Sequence, residues 1–389
     1  MKIMFVSNSP WSCTGYGNQT RMFVPRLKAL GHEMAIHAFY GLQGGILNWD
    51  GVPVYPVGYH PYGQDIMAAH AGHFGADIAI TLIDAWVMEP RMHGPRLRWV
   101  PWYPVDQDPI PPPVAEKVRQ AYQPIVYSKY GEAKSRDAGI DCRYVPHGVE
   151  TKTFHPMDRQ EARESVPLPD DRFVVGMVAA NKGIPSRKSF PQCFEAFAQF
   201  HKAHADAMLY VHTVVGTENG GINLIELAEY FGLKGSVFFC DQYRNMIGLP
   251  EPHMAALYNS FDVLLSPSMG EGFGIPILEA QACGTPVITG EWTSMPELTF
   301  SGWMVPRSEA EPCWSGIGSF YFTPRIEAIR ILLEEAYARS GDPSVKEAAR
   351  RGALEYDADR VTEKHWLPVL EEIEGRIKAG AGELKLVRF

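Results

Sequence analysis

The sequence predicts an α/β protein of two Rossmann-like, doubly wound domains facing each other across a cleft. Three observations carry this. Apolar runs of strand length alternate with helix-length segments through the first 150 residues, and again from residue 172 onward. Parallel sheets covered by helices on both faces require such alternation. The two series are separated by "YVPHGVETKTFHPMD" (144–158), a turn-rich stretch that reads as a linker. At 389 residues, 46% of them apolar, the chain has length and material for two cores.

The elements follow in order. "KIMFVS" is a first strand, "NSPWSCTGYG" a loop and "NQTRMFVPRLKALGH" a helix. Further strands are "EMAIHAFY", "ADIAITLI", "RWVPWYPV" and "PIVYS". The second series starts with the strand "RFVVGMVAA" and a helix over 189–204. It continues with strand "AMLYVHTVVG", a helix over 222–231, strand "SVFFC", a helix over 253–260, a strand over 261–267, a helix over 276–283 and strand "TPVITG". Residues 344–379 read as helical and charged, with an apolar stripe at Trp366, Val369, Leu370 and Ile373. The expected divisions are 1–150, 151–355, and a C-terminal helix in 356–389 packing back on the first domain. Ligands are expected at the carboxyl ends of the strands.

Charge and composition narrow the function classes. The net charge is −9, from 36 basic and 45 acidic side chains. The two signs balance over the first 150 residues, so the excess acid lies in the remainder. No broad basic surface results, which argues against a nucleic-acid partner. The six cysteines are dispersed without metal or redox spacing, as expected of buried small hydrophobes in a reducing compartment. "MKIMFVSN" is too short for a signal peptide and no apolar run approaches membrane-spanning length. A cytoplasmic protein with no membrane span is the expectation. The histidines have no ligand spacing, and "SPWSCTGYGNQ" lacks the glycine fingerprint of a dinucleotide oxidoreductase.

The segment "GEGFGIPILEAQACGTPVITG" (270–290) places Glu271 and Glu279 eight positions apart across a loop that turns into a helix. The apolar "FDVLLSPS" before it reads as a buried parallel strand. Gly270, Gly272 and Gly274 keep the loop open to close approach by a ligand. Pro276 suits the first helical position, and Gly284 suits the left-handed stop. A strand, a glycine loop and a helix N-terminus together make an anion site, since unpaired N–H groups and the helix dipole face the ligand. Two carboxylates flanking it suit the two ends of an elongated anionic ligand.

These residues resemble the E-x7-E signature of the family 4 retaining glycosyltransferases, which have the two-domain GT-B fold. Other matches fall in the same order. "GYGNQTRMFVPRLKALGHEMAI" is similar to the family's first glycine loop and helix, with Gly15 and Gly31 sixteen positions apart. "PIVYSKYGEAKSRDAGI" and "VPHGVETKTF" resemble the approach to its interdomain linker. The likeness covers nearly the whole chain and is weakest over 40–120 and 300–345.

The resemblance implies a nucleotide-sugar donor, with UDP or GDP as the nucleotide, held by the second domain, and an acceptor brought by the first. Glu279 would accept hydrogen bonds from the ribose hydroxyls. The loop at Gly272 and the amides of Phe273, Gly274 and Ile275 would hold the diphosphate, and Glu271 would bond the transferred sugar. Cations must offset charge on the leaving group. "ANKGIPSRKSF" supplies Lys188, then Arg187, with Lys182 nearby. Here the family's usual Gly-Arg is replaced by Ala180 and Asn181. Gly15 and Gly17 would abut the phosphates from across the cleft. Asp106 stands where many members carry a histidine near the sugar. It can bond a hydroxyl but cannot act as an imidazole. Asp106 and Asp108 also match a D-x-D metal motif, but in the GT-B family cationic side chains do the metal's work, so no metal or other cofactor is expected. Nucleobase recognition is expected near Cys240 to Tyr243.

Alternatives stay open at this point. A sugar-nucleotide epimerase would use the same two-domain shell, and a non-catalytic nucleotide sensor the same site. A transferase acting on modified nucleobases in DNA would make nucleic acid an acceptor, against the acidic balance. The residues do not disclose the donor sugar or the acceptor, a small molecule or a glycan.

Overall fold

The computed structural model describes residues 1–89 and 97–380. The end of the expected C-terminal segment, 381–389, lies outside the described residues. The chain divides into two compact units. The first comprises Met1–Gly148, Gly316–Ser319 and Ala358–Phe389, and the second Val149–Ser315 and Phe320–Asp357.

The first unit is built on eight strands: β1 (Lys2–Asn8), β2 (Glu33–Tyr40), β3 (Leu47–Trp49), β4 (Val52–Tyr55), β5 (Ile78–Leu82), β6 (Trp99–Tyr103), β7 (Ile125–Val126) and β8 (Arg143–Tyr144). Their order is β3-β4-β2-β1-β5-β6-β7-β8, and only β3 and β4 pair antiparallel. The central strands are buried on both faces, as their unbroken apolar runs demand. Sequence reading passed over the β3–β4 hairpin. Its turn is Asp50-Gly51, both left-handed at φ 49° and 75°, the geometry that matches strand twist in a two-residue turn. The helix Gly15–Ala29 packs Phe23 edge-on to Trp102 at 5.7 Å, and Trp102 meets Trp366 at 4.9 Å. Trp366, Leu370 and Ile373 are fully buried in this unit, where Glu372 also takes a two-pronged contact from Arg143 at 2.7 and 2.8 Å.

The second unit carries β9 (Phe173–Val178), β10 (Ala207–His212), β11 (Val237–Phe239), β12 (Val263–Leu265), β13 (Val287–Gly290) and β14 (Gly302–Val305) in the order β11-β10-β9-β12-β13-β14, all parallel. A separate antiparallel pair, β15 (Ala310–Trp314) and β16 (Phe320–Pro324), falls where the family resemblance is weakest. The helix Phe190–His201 buries Phe190, Phe194, Phe197 and Phe200 on one face. A fully buried guanidinium, Arg163, donates to the carbonyls of Ser260, Pro169, Asp170 and Arg172 and to Asp262 at 2.9 Å. Each of the three nitrogens of this buried cation thereby has an acceptor.

The predicted helical run over 344–379 needs correction. It is broken into Pro343–Ala353, a single tight turn Leu354–Tyr356, and a second helical stretch ending in Leu367–Lys378. The break is at Asp357, whose extended backbone (ψ 135°) bridges to Val149. Helical periodicity in the sequence continues through this point because both sides bury apolar faces, each in its own unit.

In the second sheet the chain winds from β9 outward through β10 and β11, then returns to the other side of β9 with β12 onward. The loops leaving β9 and β12 therefore diverge from adjacent carboxyl ends. Such a reversal opens the crevice where doubly wound sheets bind ligands.

Candidate functional site

The site of the second unit is built on those two loops. The loop after β12 runs from Ser266 to Gly274 and is buried throughout. Gly274, at φ 111°, ends it: a Cβ there would lie 2.8 Å from the Ile277 side chain. The following helix is Ile275–Ala282, so Pro276 takes the second helical position rather than the expected first. It stops as predicted at Gly284 (φ 82°), where Gly284 N donates to Gln281 O and Thr285 N to Ala280 O, at 2.9 Å each. Pro276 has no N–H, and Ile277 N and Leu278 N donate to Gly274 O at 2.9 and 3.2 Å, so the Ile275 amide is the first-turn donor without an acceptor inside the helix, where the dipole adds positive potential.

The loop after β9 brings the cations. Lys188 Nζ donates to Glu271 Oε1, and Arg187 Nη1 lies 3.7 Å from Glu271 Oε2 while donating to the Gly270 carbonyl. The backbones are also joined, Met269 N donating to Arg187 O at 2.8 Å. The Glu271 side chain is 9% exposed and that of Lys188 16%. Burial alone would raise the Glu271 carboxyl. The charges of Lys188 and Arg187, with hydrogen bonds from Lys188 and Ser268, outweigh it and hold the group below the ordinary glutamate range. Sequence reading named all three residues, and the fold brings them together. Lys182, the third basic residue of that loop, is exposed.

Glu279 stands one turn into the helix, half-buried, and accepts from the Tyr258 hydroxyl at 2.8 Å. Burial, then the neighbouring Glu279 charge, raises the Tyr258 hydroxyl well above its ordinary pKa, so it stays a donor. Tyr258 is a site residue that the sequence reading missed. Asn181 is another. Expected only as a replacement for a cation, it is buried and holds the loop after β10: its Nδ2 lies 3.1, 3.0 and 2.7 Å from the carbonyls of Val214, Gly216 and Ile222, and its Oδ1 accepts from Ile222 N. In the segment expected to face a nucleobase, Gln242 accepts from Val215 N at 3.0 Å and donates to Thr213 O and Cys240 O, while Tyr243 is exposed.

In the first unit, the placement of Gly15 and Gly17 in the loop before the helix requires correction. They form the first turn of the helix Gly15–Ala29, not the loop ahead of it, because Thr14 is the N-cap and its Oγ1 accepts from Gly17 N at 3.0 Å. A Cβ on Gly17 would lie 2.2 Å from the Ser12 carbonyl, so the helix start itself demands glycine here. Asp106 is half-buried and accepts from Gln107 Nε2 at 3.4 Å. The buried Tyr127 hydroxyl is held far above its ordinary pKa by burial first, then by nearby Tyr16, Asp84 and Asp106. Asp108 pairs with Lys134 at 2.7 Å. Among the described residues no cluster of three or more His, Cys, Asp or Glu is arranged to hold a metal ion, and no helix is long and apolar enough to cross a membrane.

Comparisons with known proteins bear on the family and the fold. Residues 158–306, which contain Arg187, Lys188, Glu271 and Glu279, match the family model described as glycosyl transferases group 1. A D-inositol 3-phosphate glycosyltransferase 1 from Catenulispora acidiphila is 30% identical over 257 residues, covering 63% of this chain and 52% of its own length. The chain spans between about a third and about half of the length of the curated relatives it matches. Among solved structures, a sucrose-phosphate synthase from Thermosynechococcus elongatus superposes with a TM-score of 0.75 at 17% identity, over 98% of this chain and all of its own. HepE of Anabaena in complex with UDP and glucose gives 0.65 at 16%, over 96% of this chain and all of its own. At such identities the likeness is one of fold: the chain has the α/β GT-B architecture.

Proposed function

We propose, from the match of residues 158–306 to the model of the group 1 glycosyl transferases and from the site's geometry, that the chain transfers a sugar from a nucleoside-diphosphate sugar to an acceptor hydroxyl. The observation that carries this is the cluster of buried Glu271 with half-buried Lys188 and Arg187 at the sheet's reversal point, beside the N-terminus of the helix Ile275–Ala282. The helix start and the two cations meet the needs of a pyrophosphate. Glu271 is ionised and held, suited to accept hydrogen bonds from sugar hydroxyls. The Glu279 carboxylate, with about four lone-pair sites and one of its oxygens taking the Tyr258 bond, is the kind of acceptor that suits ribose.

The bond from the sugar's anomeric carbon to the phosphate oxygen breaks as the acceptor oxygen forms its own bond to that carbon. The acceptor's proton passes to the departing phosphate oxygen. Lys188 and Arg187 stabilise the negative charge growing on that oxygen. Attack on the face the nucleotide leaves retains configuration. Glu271, engaged by two cations, serves to orient the sugar and not as a covalent nucleophile. The UDP-bound structural neighbour and the inositol-phosphate-acting relatives make UDP-sugars, and acceptors with ring hydroxyls, the first to try.

A thermal-shift panel of UDP, GDP, ADP and their sugars tests the reading, because a ligand at a hundred times its dissociation constant adds about 2.7 kcal/mol of stability. The expected outcome is one nucleotide series that stabilises, with transfer from its sugar and turnover lost in Lys188→Ala. A panel without stabilisation, or a Lys188→Ala enzyme as active as the parent on an identified donor and acceptor, refutes it.

A further inference from the structure

Behind the loop that carries Glu271 lies a short turn after β13, Trp292-Thr293-Ser294, with all three residues buried. Each makes a separate hold on that loop. Trp292 Nε1 donates to Ser268 O at 3.0 Å. Thr293 Oγ1 accepts from Glu271 N at 3.1 Å and donates to Trp292 O at 2.8 Å. Ser294 Oγ lies 2.8 Å from Glu271 O and 2.7 Å from Phe273 O, sharing its one proton between them.

Thr293 does this at φ 55°, in the left-handed region. For a β-branched side chain that backbone is an outlier, costing about 1–3 kcal/mol, and such residues persist where the surroundings over-determine them. Glycine would occupy the same φ freely but would bring no hydroxyl. Only three described residues other than glycine have positive φ: Asp50 in the β3–β4 turn, Ser189 directly after Lys188, and Thr293. Two of the three thus adjoin the ion pair from its two sides.

We propose that Thr293 and Ser294 are positioning residues for Glu271, holding its loop where the carboxylate meets Lys188 and Arg187 and the next helix's first amides face the donor. The loop contains three glycines and has little intrinsic stiffness, so its shape is supplied from behind. The Glu271 amide is spent on Thr293, which leaves anion contact to amides further along, at the helix start. This inference rests on the glycosyltransferase reading for its kinetic consequence, but its structural consequence is independent of that reading.

Three variants separate the possibilities. Thr293→Val keeps shape and branching without the hydroxyl, Thr293→Ser keeps the hydroxyl, and Thr293→Gly relieves the backbone while losing the hydroxyl. On a donor found by the nucleotide panel, kcat is expected to fall about tenfold to a hundredfold in Thr293→Val and Thr293→Gly. Donor KM should move far less, and Thr293→Ser should restore kcat to within about threefold. Thr293→Gly should melt no lower than the parent although it is impaired. Hydrogen exchange over residues 268–275 should quicken in Thr293→Val and Thr293→Gly but not in Thr293→Ser. Unchanged kcat in Thr293→Val, equal loss in Thr293→Ser, or unaltered exchange overturns the inference. If the parent protein transfers from none of the panel's sugars, the functional reading fails. The exchange result then decides the positioning role alone, faster exchange of the Glu271 amide supporting it and no change overturning it.

Discussion

Lys188 and Glu271, 83 positions apart in the chain, form an ion pair that is mostly buried and that neither loop would adopt alone. The pair sets the ionisation of the carboxylate. With Lys188 present, burial is outweighed and Glu271 stays ionised below the ordinary glutamate range. Replacing Lys188 by alanine leaves Arg187, at 3.7 Å, beside Glu271. Desolvation then gains the upper hand and the carboxyl's pKa rises. The parent's kcat/KM should therefore be flat as pH falls through the glutamate range. In Lys188→Ala a residual rate should acquire an acid limb, falling as pH drops through the raised pKa. A pH–rate profile of the two proteins on one donor checks this, and superposable limbs would count against it.

Tyr258 gives a second expectation. Its hydroxyl holds Glu279 Oε2 at 2.8 Å from a fully buried ring. Tyr258→Phe removes one hydrogen bond to a charged group, a loss of about 1.5–3 kcal/mol, without changing the ring's packing. Glu279 then loses one of the contacts that fix its carboxylate. Calorimetric titration with UDP or GDP should show affinity weakened by about fivefold or more. Turnover at saturating donor should stay close to that of the parent. A variant that binds as tightly as the parent would show that Glu279 needs no such holding, or does not meet the nucleotide.

The sequence made Glu271 and Glu279 legible because their chemistry is local: strand, glycines, helix and two acids within one continuous stretch. Arg187 and Lys188 were legible for a related reason, as cations following a strand. What escaped depends on which loops the sheet order makes neighbours. Thr293 and Ser294 follow β13, and they matter because β13 pairs with β12, whose loop carries Glu271. Nothing in "GEWTSMPEL" announces that. Tyr258 is one aromatic among many until the helix ending at Asn259 is packed beside Glu279. Asn181 read as a missing cation, since a three-carbonyl anchor leaves no mark in the sequence. The β3–β4 hairpin is the opposite case, for its Asp50-Gly51 turn was there to be read. The helical run over 344–379 misled because periodicity reports a buried face and not which core buries it.

Acid stability follows from histidines outside the site. His37 and His147 are fully buried in the first unit, and burial lowers each to about 3. His70 adds a repulsive charge to His37, which Asp65 partly offsets. Both His37 ring nitrogens are without a hydrogen-bond partner. In the second unit His212 is lowered to about 4, by burial and then by His253. The sign follows from these depressions. Above the ordinary histidine value of 6.5 neither state binds the proton and stability is complete. Below it the unfolded chain takes up protons that the folded chain refuses, so stability falls as pH descends from 6.5 towards the folded values. Each of His37 and His147 removes about 2 kcal/mol by pH 5. Urea unfolding of His37→Leu between pH 7 and 5 should show a shallower decline than the parent, by about 2 kcal/mol in all, the difference in slope approaching one proton, or about 1.4 kcal/mol per pH unit, below pH 6. Equal slopes would mean that His37 is not the neutral, desolvated group its burial implies.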